Sequence, residues 1–157
     1  MYRIYRAAAV VLCLLPFLAG IVHSGTANDI TEHRSCHSCG MDRKAYGYSR
    51  MLIIYEDGGQ VGVCSLHCAV NELDANKDRK VKSLLVADRE SRDLIDPEKA
   101  VWVMGGTKRG VMTQQPKWAF AAKPAAETFI AKYGGTISSW DDALAAAREE
   151  IFRKANY

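Results

Sequence analysis

Cys36-His37-Ser38-Cys39-Gly40-Met41 sets two cysteines two residues apart, directly before a glycine. Glycine relieves a tight backbone bend, so this stretch predicts a turn from which both thiols project. We call residues 36–41 the knuckle. An apolar run at 51–55, a turn signal at 57–59 and alternating valines that lead into Cys64 come next, and they predict a β-hairpin.

A helix is predicted directly after the hairpin. Ser65 is a good N-cap residue, and Leu66, Ala69, Val70 and Leu73 then recur at the spacing of one buried helical face. Cys68 falls in the first turns of this helix, near Cys64 at the end of the preceding strand. A turn with one cysteine pair, then a hairpin, then a second pair at a helix start is the order in which small ββα metal knuckles bring four ligands together.

The second half of the chain repeats the order of strands followed by a helix. Strand-like runs at 81–87, 100–104 and 118–121 are followed by a helix that starts at Pro124 and is stopped by Gly134-Gly135. Ser139 caps a last amphipathic helix. We therefore expect an α+β protein with two small ββα, treble-clef-like units, at about 35–76 and about 81–157, the second of which ends in the C-terminal helix.

The first 27 residues have the pattern of an export signal. Arg3 and Arg6 precede an uncharged apolar run at 7–22, and Gly25-Thr26-Ala27 supplies the small residues of a cleavage site. The run is shorter than the roughly 20 residues that a membrane-spanning helix needs. The sequence predicts a signal peptide or a retained N-terminal anchor over 1–27, with a metal-binding domain over 28–157. Membrane contact is expected only through an uncleaved N-terminal segment.

Charge and motif content exclude several classes of protein. The net charge is +3, from 21 Lys and Arg against 18 Asp and Glu, and the basic residues are not clustered as nucleic-acid binding requires. Neither GxGxxG nor GxxxxGK[ST] occurs, which argues against nucleotide chemistry. No HExxH helix or Ser-His-Asp arrangement stands out, and we expect no enzymatic activity.

The cysteines of the exported part point to a soft metal ion. Cys36, Cys39, Cys64 and Cys68 could close a tetrahedral zinc site, with Cys64 and His67 as an alternative pair. Met41 and Met112 lie in loops, and thioether with thiolate is the ligand set that selects Cu(I). Three alternatives stay open: a structural Zn(II) knuckle, two disulfides, and a thiol-disulfide oxidoreductase. His37 and His67 fit the role of exposed neighbours of the cysteines better than that of ligands, although His67 stays open as an extra ligand.

With these motifs in place, most of the chain after the leader resembles the NosL family of copper-delivering accessory proteins. The motifs that carry the resemblance are Cys36 to Met41, Asp57-Gly58-Gly59, Cys64-Ser65, Leu94 to Ala100, Trp102 to Gly106, Arg109-Gly110-Val111-Met112 and Tyr133-Gly134-Gly135. The resemblance departs from the family in Val111, which stands where proline is common, and in the absence of a lipid-attachment box.

The resemblance implies a periplasmic Cu(I)-binding chaperone that serves nitrous oxide reductase or another exported copper enzyme. It implies Cys39, Met41 and Met112 as the first ligands and Cys36 as the next. Cys64 and Cys68 lie at the start of the predicted helix, and this position makes them candidates for further ligands or for a second, structural site.

Overall fold

The computed structural model describes residues 28–156, which form two antiparallel sheets and four helices. The predicted leader at 1–27 lies outside the described residues. The elements, in chain order, are α1 (Asn28–Glu32), β1 (Met51–Tyr55), β2 (Gln60–Val63), α2 (Leu66–Ala75), β3 (Val81–Ala87), β4 (Leu94–Ile95), β5 (Val101–Met104), β6 (Lys117–Phe120), α3 (Lys123–Tyr133), β7 (Thr136–Ser138) and α4 (Trp140–Ala155).

The predicted hairpin forms one side of the first sheet, whose strand order β2-β1-β3-β4 puts β2 at the edge. Met51 pairs with Val63 in its antiparallel register. Gly58 adopts a φ of 85° and the Asp57 carboxylate accepts a hydrogen bond from the Gly59 amide, which closes the turn. The hairpin directs the end of β2 and the start of α2 to the same corner of the molecule.

The second sheet has the order β6-β5-β7, and α3 packs against β5 and β6. The α4 helix begins with a capping box, in which the Ser139 and Asp142 side chains each bond the other residue's backbone amide. The predicted α+β class is confirmed. The treble-clef relationship stays a prediction.

The boundary expected between the two units is wrong. The sequence assigns residues from about 81 to the second unit, whereas β3 pairs with β1 along Met51–Tyr55 and extends the first sheet. Burial along 81–87 increases from the exposed start of the strand to its buried end, which does not assign the strand to either sheet, and only this long-range pairing decides the choice. The short strands β4 and β7 and the helix α1 carry no strong local signal and are absent from the prediction.

One hydrophobic core joins the two halves. It combines Met51, Ile53 and Val63 of the first sheet with Trp102 of β5 and Ala143 of α4. Three of the cysteines, Cys36, Cys64 and Cys68, belong to the same cluster of buried residues. Across residues 28–156, no helix is both long enough and apolar enough to cross a membrane.

Candidate metal centre

The knuckle is a closed backbone turn, as the sequence predicts. The Cys36 amide donates to the Met41 carbonyl at 2.8 Å, and the Gly40 amide donates to the Cys36 carbonyl at the same distance. Gly40 has a φ of 77°, which a residue with a Cβ atom adopts only with strain. The turn therefore fixes the spacing of the first two thiols by backbone bonds alone.

The second pair of cysteines is fixed by the end of the hairpin and the cap of α2. The Ser65 side chain accepts a bond from the Cys68 amide and caps α2, so the helix begins at Leu66, two residues after Cys64. The two segments are joined where the His37 amide donates to the Gly62 carbonyl at 3.0 Å. Knuckle and helix start consequently face each other.

The four thiols converge on one point, with all of their sulfur atoms within 4.8 Å of one another. Cys39 Sγ lies 3.5 Å from Cys64 Sγ, and Cys64 Sγ lies 3.7 Å from Cys68 Sγ. Sulfurs about 3.8 Å apart are what a tetrahedral ion with metal–sulfur bonds of about 2.3 Å requires. We call Cys36, Cys39, Cys64 and Cys68 the four-cysteine cluster. All four are free thiols in the structure, three buried and Cys39 exposed.

The protonation states within the cluster are unequal. A hydrogen bond from the Cys64 thiol, with further bonds from neighbouring side chains, lowers the pKa of Cys68 to about 5 against the effect of burial. The same bond to Cys68, together with burial, raises the pKa of Cys64. Burial of its sulfur raises the pKa of Cys39 to about 11. These bonds thus favour the thiolate at Cys68, and the thiolate is the form of cysteine that binds metals.

The two candidate methionines occupy different surroundings. Met41 is partly buried and packs against the core that contains the buried cysteines. Met112 lies in the loop between β5 and β6, where it is 41% exposed and has a φ of 59°. Its neighbours Val111 and Thr113 line a small enclosed cavity together with Ser65. The structure therefore brings the loop that carries Met112 beside the start of α2, while the roles of both methionines as ligands stay predictions.

The comparisons with known proteins agree with this architecture. The family model described as NosL matches residues 27–147. The chain belongs to the NosL family. The crystal structure of the copper chaperone NosL from Shewanella denitrificans matches with a TM-score of 0.54 and 23% identity, over 68% of this chain and 87% of that one. At this identity the match shows a common fold. No curated protein matches the chain significantly.

Two histidines lie close to the cysteines of this NosL-family chain. His37 is exposed, as expected, and its Nε2 lies 3.7 Å from a carboxylate oxygen of Glu72. His67 is half-buried, which corrects the expectation of an exposed side chain, and burial lowers its pKa. Glu72 and Arg43 are buried charges that the sequence reasoning missed. The only sequence signal for Glu72 is its place four residues after Cys68, on the same helical face.

Proposed function

We propose that this NosL-family protein is a Cu(I) metallochaperone that carries its copper at the four-cysteine cluster. The convergence of the thiols within 4.8 Å is the observation that carries the proposal. Thiolate ligands, with thioether sulfur nearby, select Cu(I) over harder cations. The neighbours of Cys68 lower the pKa of its thiol, which favours an anionic ligand at this position.

Copper transfer follows from the unequal exposure of the thiols. Cys39 is exposed, whereas the other three cysteines are buried in the core. An acceptor ligand can therefore replace the protein's sulfurs in sequence, beginning with Cys39, while copper stays Cu(I) throughout. Such an exchange consumes no substrate and makes no product, so the proposal assigns binding and delivery, not enzymatic turnover.

The proposed acceptor is an exported copper enzyme, with nitrous oxide reductase as the first candidate, and the proposed compartment is the periplasm. Membership of the NosL family supports this choice. So does the fold shared with a protein described as a copper chaperone. The export pattern at 1–27 also supports the proposal, because an exported chaperone would share the compartment of an exported client.

A structural Zn(II) site is the second candidate, because four thiols at these spacings also suit a closed tetrahedral ion. A structural zinc ion would contribute directly to folding, so its removal would unfold the domain. A copper carrier has a core of its own and keeps its fold when the metal leaves. Circular dichroism before and after treatment with a chelator separates the two candidates.

The deciding experiment is an anaerobic Cu(I) titration of the exported protein in competition with a chromophoric chelator. We expect one Cu(I) to bind per chain, more tightly than Zn(II) under matched buffering. A Cys36→Ser, Cys39→Ser double variant should lose this binding, because it removes both knuckle thiols. Tighter binding of Zn(II) than of Cu(I) would contradict the proposal.

A further inference from the structure

Arg43 follows the knuckle by two residues and is completely buried, with 0% of its surface exposed. A guanidinium group has five N–H donors. All five are used: Nε bonds the Val63 carbonyl, Nη1 bonds the carbonyls of Asp29 and His33, and Nη2 bonds the Met51 carbonyl and the Asp29 carboxylate. The guanidinium therefore binds backbone from three separate segments, which are residues 29–33, the start of β1 and the end of β2.

Two of the acceptors of Arg43 lie close to cysteines in the chain. The Val63 carbonyl immediately precedes Cys64 at the end of β2. The His33 carbonyl lies three residues before Cys36, and the Arg43 amide itself donates to the Arg34 carbonyl on the other side of the knuckle. One planar side chain thus joins the base of the knuckle to the strand that carries Cys64.

The protein leaves room for this side chain at Gly62. A Cβ atom at Gly62 would lie 2.5 Å from Arg43 Nη1 and 2.5 Å from His33 Cβ. Since the His37 amide also bonds the Gly62 carbonyl, the knuckle, the guanidinium and β2 are in direct contact at this residue. Close packing here favours one relative position of the two cysteine pairs.

Asp29 pairs with two buried guanidinium groups and offsets part of their positive charge. Its Oδ2 lies 2.7 Å from Arg43 Nη2 and its Oδ1 lies 2.9 Å from Arg50 Nη2, with all three side chains buried. Burying charged groups costs several kcal/mol unless their partners are well placed. Arg50 uses its other donors on the carbonyls of Gly47 and Arg92, which do not flank a cysteine.

We propose that Arg43 is a positioning residue that holds the two cysteine pairs at metal-binding distance before copper arrives. The inference rests on the proposed function, since it takes the four-cysteine cluster as the metal site. It adds that the site is assembled by a buried guanidinium and not by the metal. Copper can then enter and leave without folding or unfolding of the knuckle.

The first test compares Arg43→Lys with Arg50→Lys. Each variant keeps a positive charge beside Asp29 and replaces a buried planar guanidinium with an ammonium group. The two variants should therefore lose similar thermal stability. A lysine at 43 has three donors for five acceptors and cannot span β2 and the base of the knuckle. We expect Arg43→Lys to weaken Cu(I) binding at least about tenfold, as the loss of a group that orients a ligand does.

The near-ultraviolet absorption of Cu(I) bound to thiolates is the second readout of this test, because it reports the sulfurs and not the stability of the fold. It should change in Arg43→Lys and stay unchanged in Arg50→Lys. Equal losses of affinity in the two variants, or no loss in either, would overturn the inference.

Hydrogen exchange of the metal-free wild-type protein decides the matter if Arg43→Lys does not fold. A preassembled site requires protected amides at Cys36, Gly40 and Arg43, the donors of the knuckle bonds. Free exchange at these amides, with protection gained only on adding Cu(I), would overturn the inference. Protection of these amides in the metal-free protein is measured without copper, so it tests the inference separately from the proposed function. The proposed function fails instead when the wild type binds no Cu(I).

Discussion

Cys39 Sγ lies 3.5 Å from Cys64 Sγ although 25 residues separate them, and the first residue is exposed while the second is completely buried. The pair therefore connects solvent to the interior of the four-cysteine cluster. A metal ion bound between these sulfurs is within reach of an acceptor on one side and is held by the core on the other. This asymmetry suits a carrier better than an enclosed structural site.

Replacing Cys39 by serine should separate metal binding from folding. The side chain lies at the surface, so Cys39→Ser should leave the melting temperature nearly unchanged. We expect Cu(I) affinity to fall at least about tenfold, because a soft ligand is lost. Chelator competition and thermal unfolding of the same samples measure both quantities.

Cys68→Ser is the matched variant for this experiment. Cys68 is buried beside Ser65 and Cys64, so a serine hydroxyl there is enclosed in the core and both affinity and stability should fall. If Cys39→Ser destabilises the protein as much as Cys68→Ser does, Cys39 is a structural residue and the proposed route of transfer is wrong.

The methionine variants test whether the ligand set extends beyond the cysteines. Met41→Leu and Met112→Leu remove sulfur at nearly constant volume, which costs less than about 1.5 kcal/mol of stability in a packed site. We expect each to weaken Cu(I) binding in the chelator competition, since thioether sulfur favours Cu(I). Unchanged affinity in both variants would restrict the ligands to the four thiols.

Met104→Leu is the control for these two variants. Met104 belongs to β5 and packs against the core, outside the knuckle and the loop of Met112. It should leave Cu(I) affinity unchanged. A loss of affinity equal to that of Met112→Leu would mean that the effect comes from packing and not from coordination.

Removal of metal should leave the fold intact. The buried core extends from β1 to Trp102 and Ala143, well beyond the cysteines, and Arg43 holds the knuckle by hydrogen bonds to protein groups alone. We therefore expect the far-ultraviolet circular dichroism of the chain to be the same before and after anaerobic chelation. A loss of the helical signal on chelation would favour the structural zinc site.

Local signals explain which parts of the fold could be predicted. Three signals act over only a few residues: the turn at 57–59, the Ser65 cap and the Ser139 cap. Each of them lies where the structure has the predicted turn or the start of the predicted helix. The convergence of the cysteine pairs also agrees with sequence order, because a hairpin brings the end of its second strand back beside the start of its first strand.

The parts that the sequence did not reveal depend on distant partners. No residue within 81–87 indicates that β3 pairs with β1, because the pairing depends on which strand has an unpaired edge in the folded chain. From the sequence alone, Arg43 and Arg50 would be expected at the surface, because arginine is rarely buried without a partner. In the structure, the Asp29 carboxylate of α1 is that partner for both. The position of Met112 likewise depends on a loop that packs against another part of the molecule.

Glu150 of α4 should make the stability of the protein depend on pH in acid. It is buried, and it accepts bonds from the Thr113 hydroxyl and the Gln114 amide beside the Lys117 ammonium. Burial raises the pKa of this carboxyl, but the three neighbours outweigh burial and lower the pKa from 4.5 to about 2. The loop next to Met112 is thereby tied to the last helix.

Because the folded pKa lies below the unfolded one, the ionised carboxylate stabilises the fold above about pH 4.5 and this contribution is lost as the pH falls toward 2. The full contribution is on the order of 3 kcal/mol. We expect Glu150→Gln to lower the free energy of unfolding at pH 7 and to flatten its decline between pH 4.5 and 2, measured by urea unfolding. Glu149→Gln, on the exposed neighbour that pairs with Arg153, should change neither quantity. Equal effects of the two variants would show that the carboxylate of Glu150 contributes no more than a surface charge.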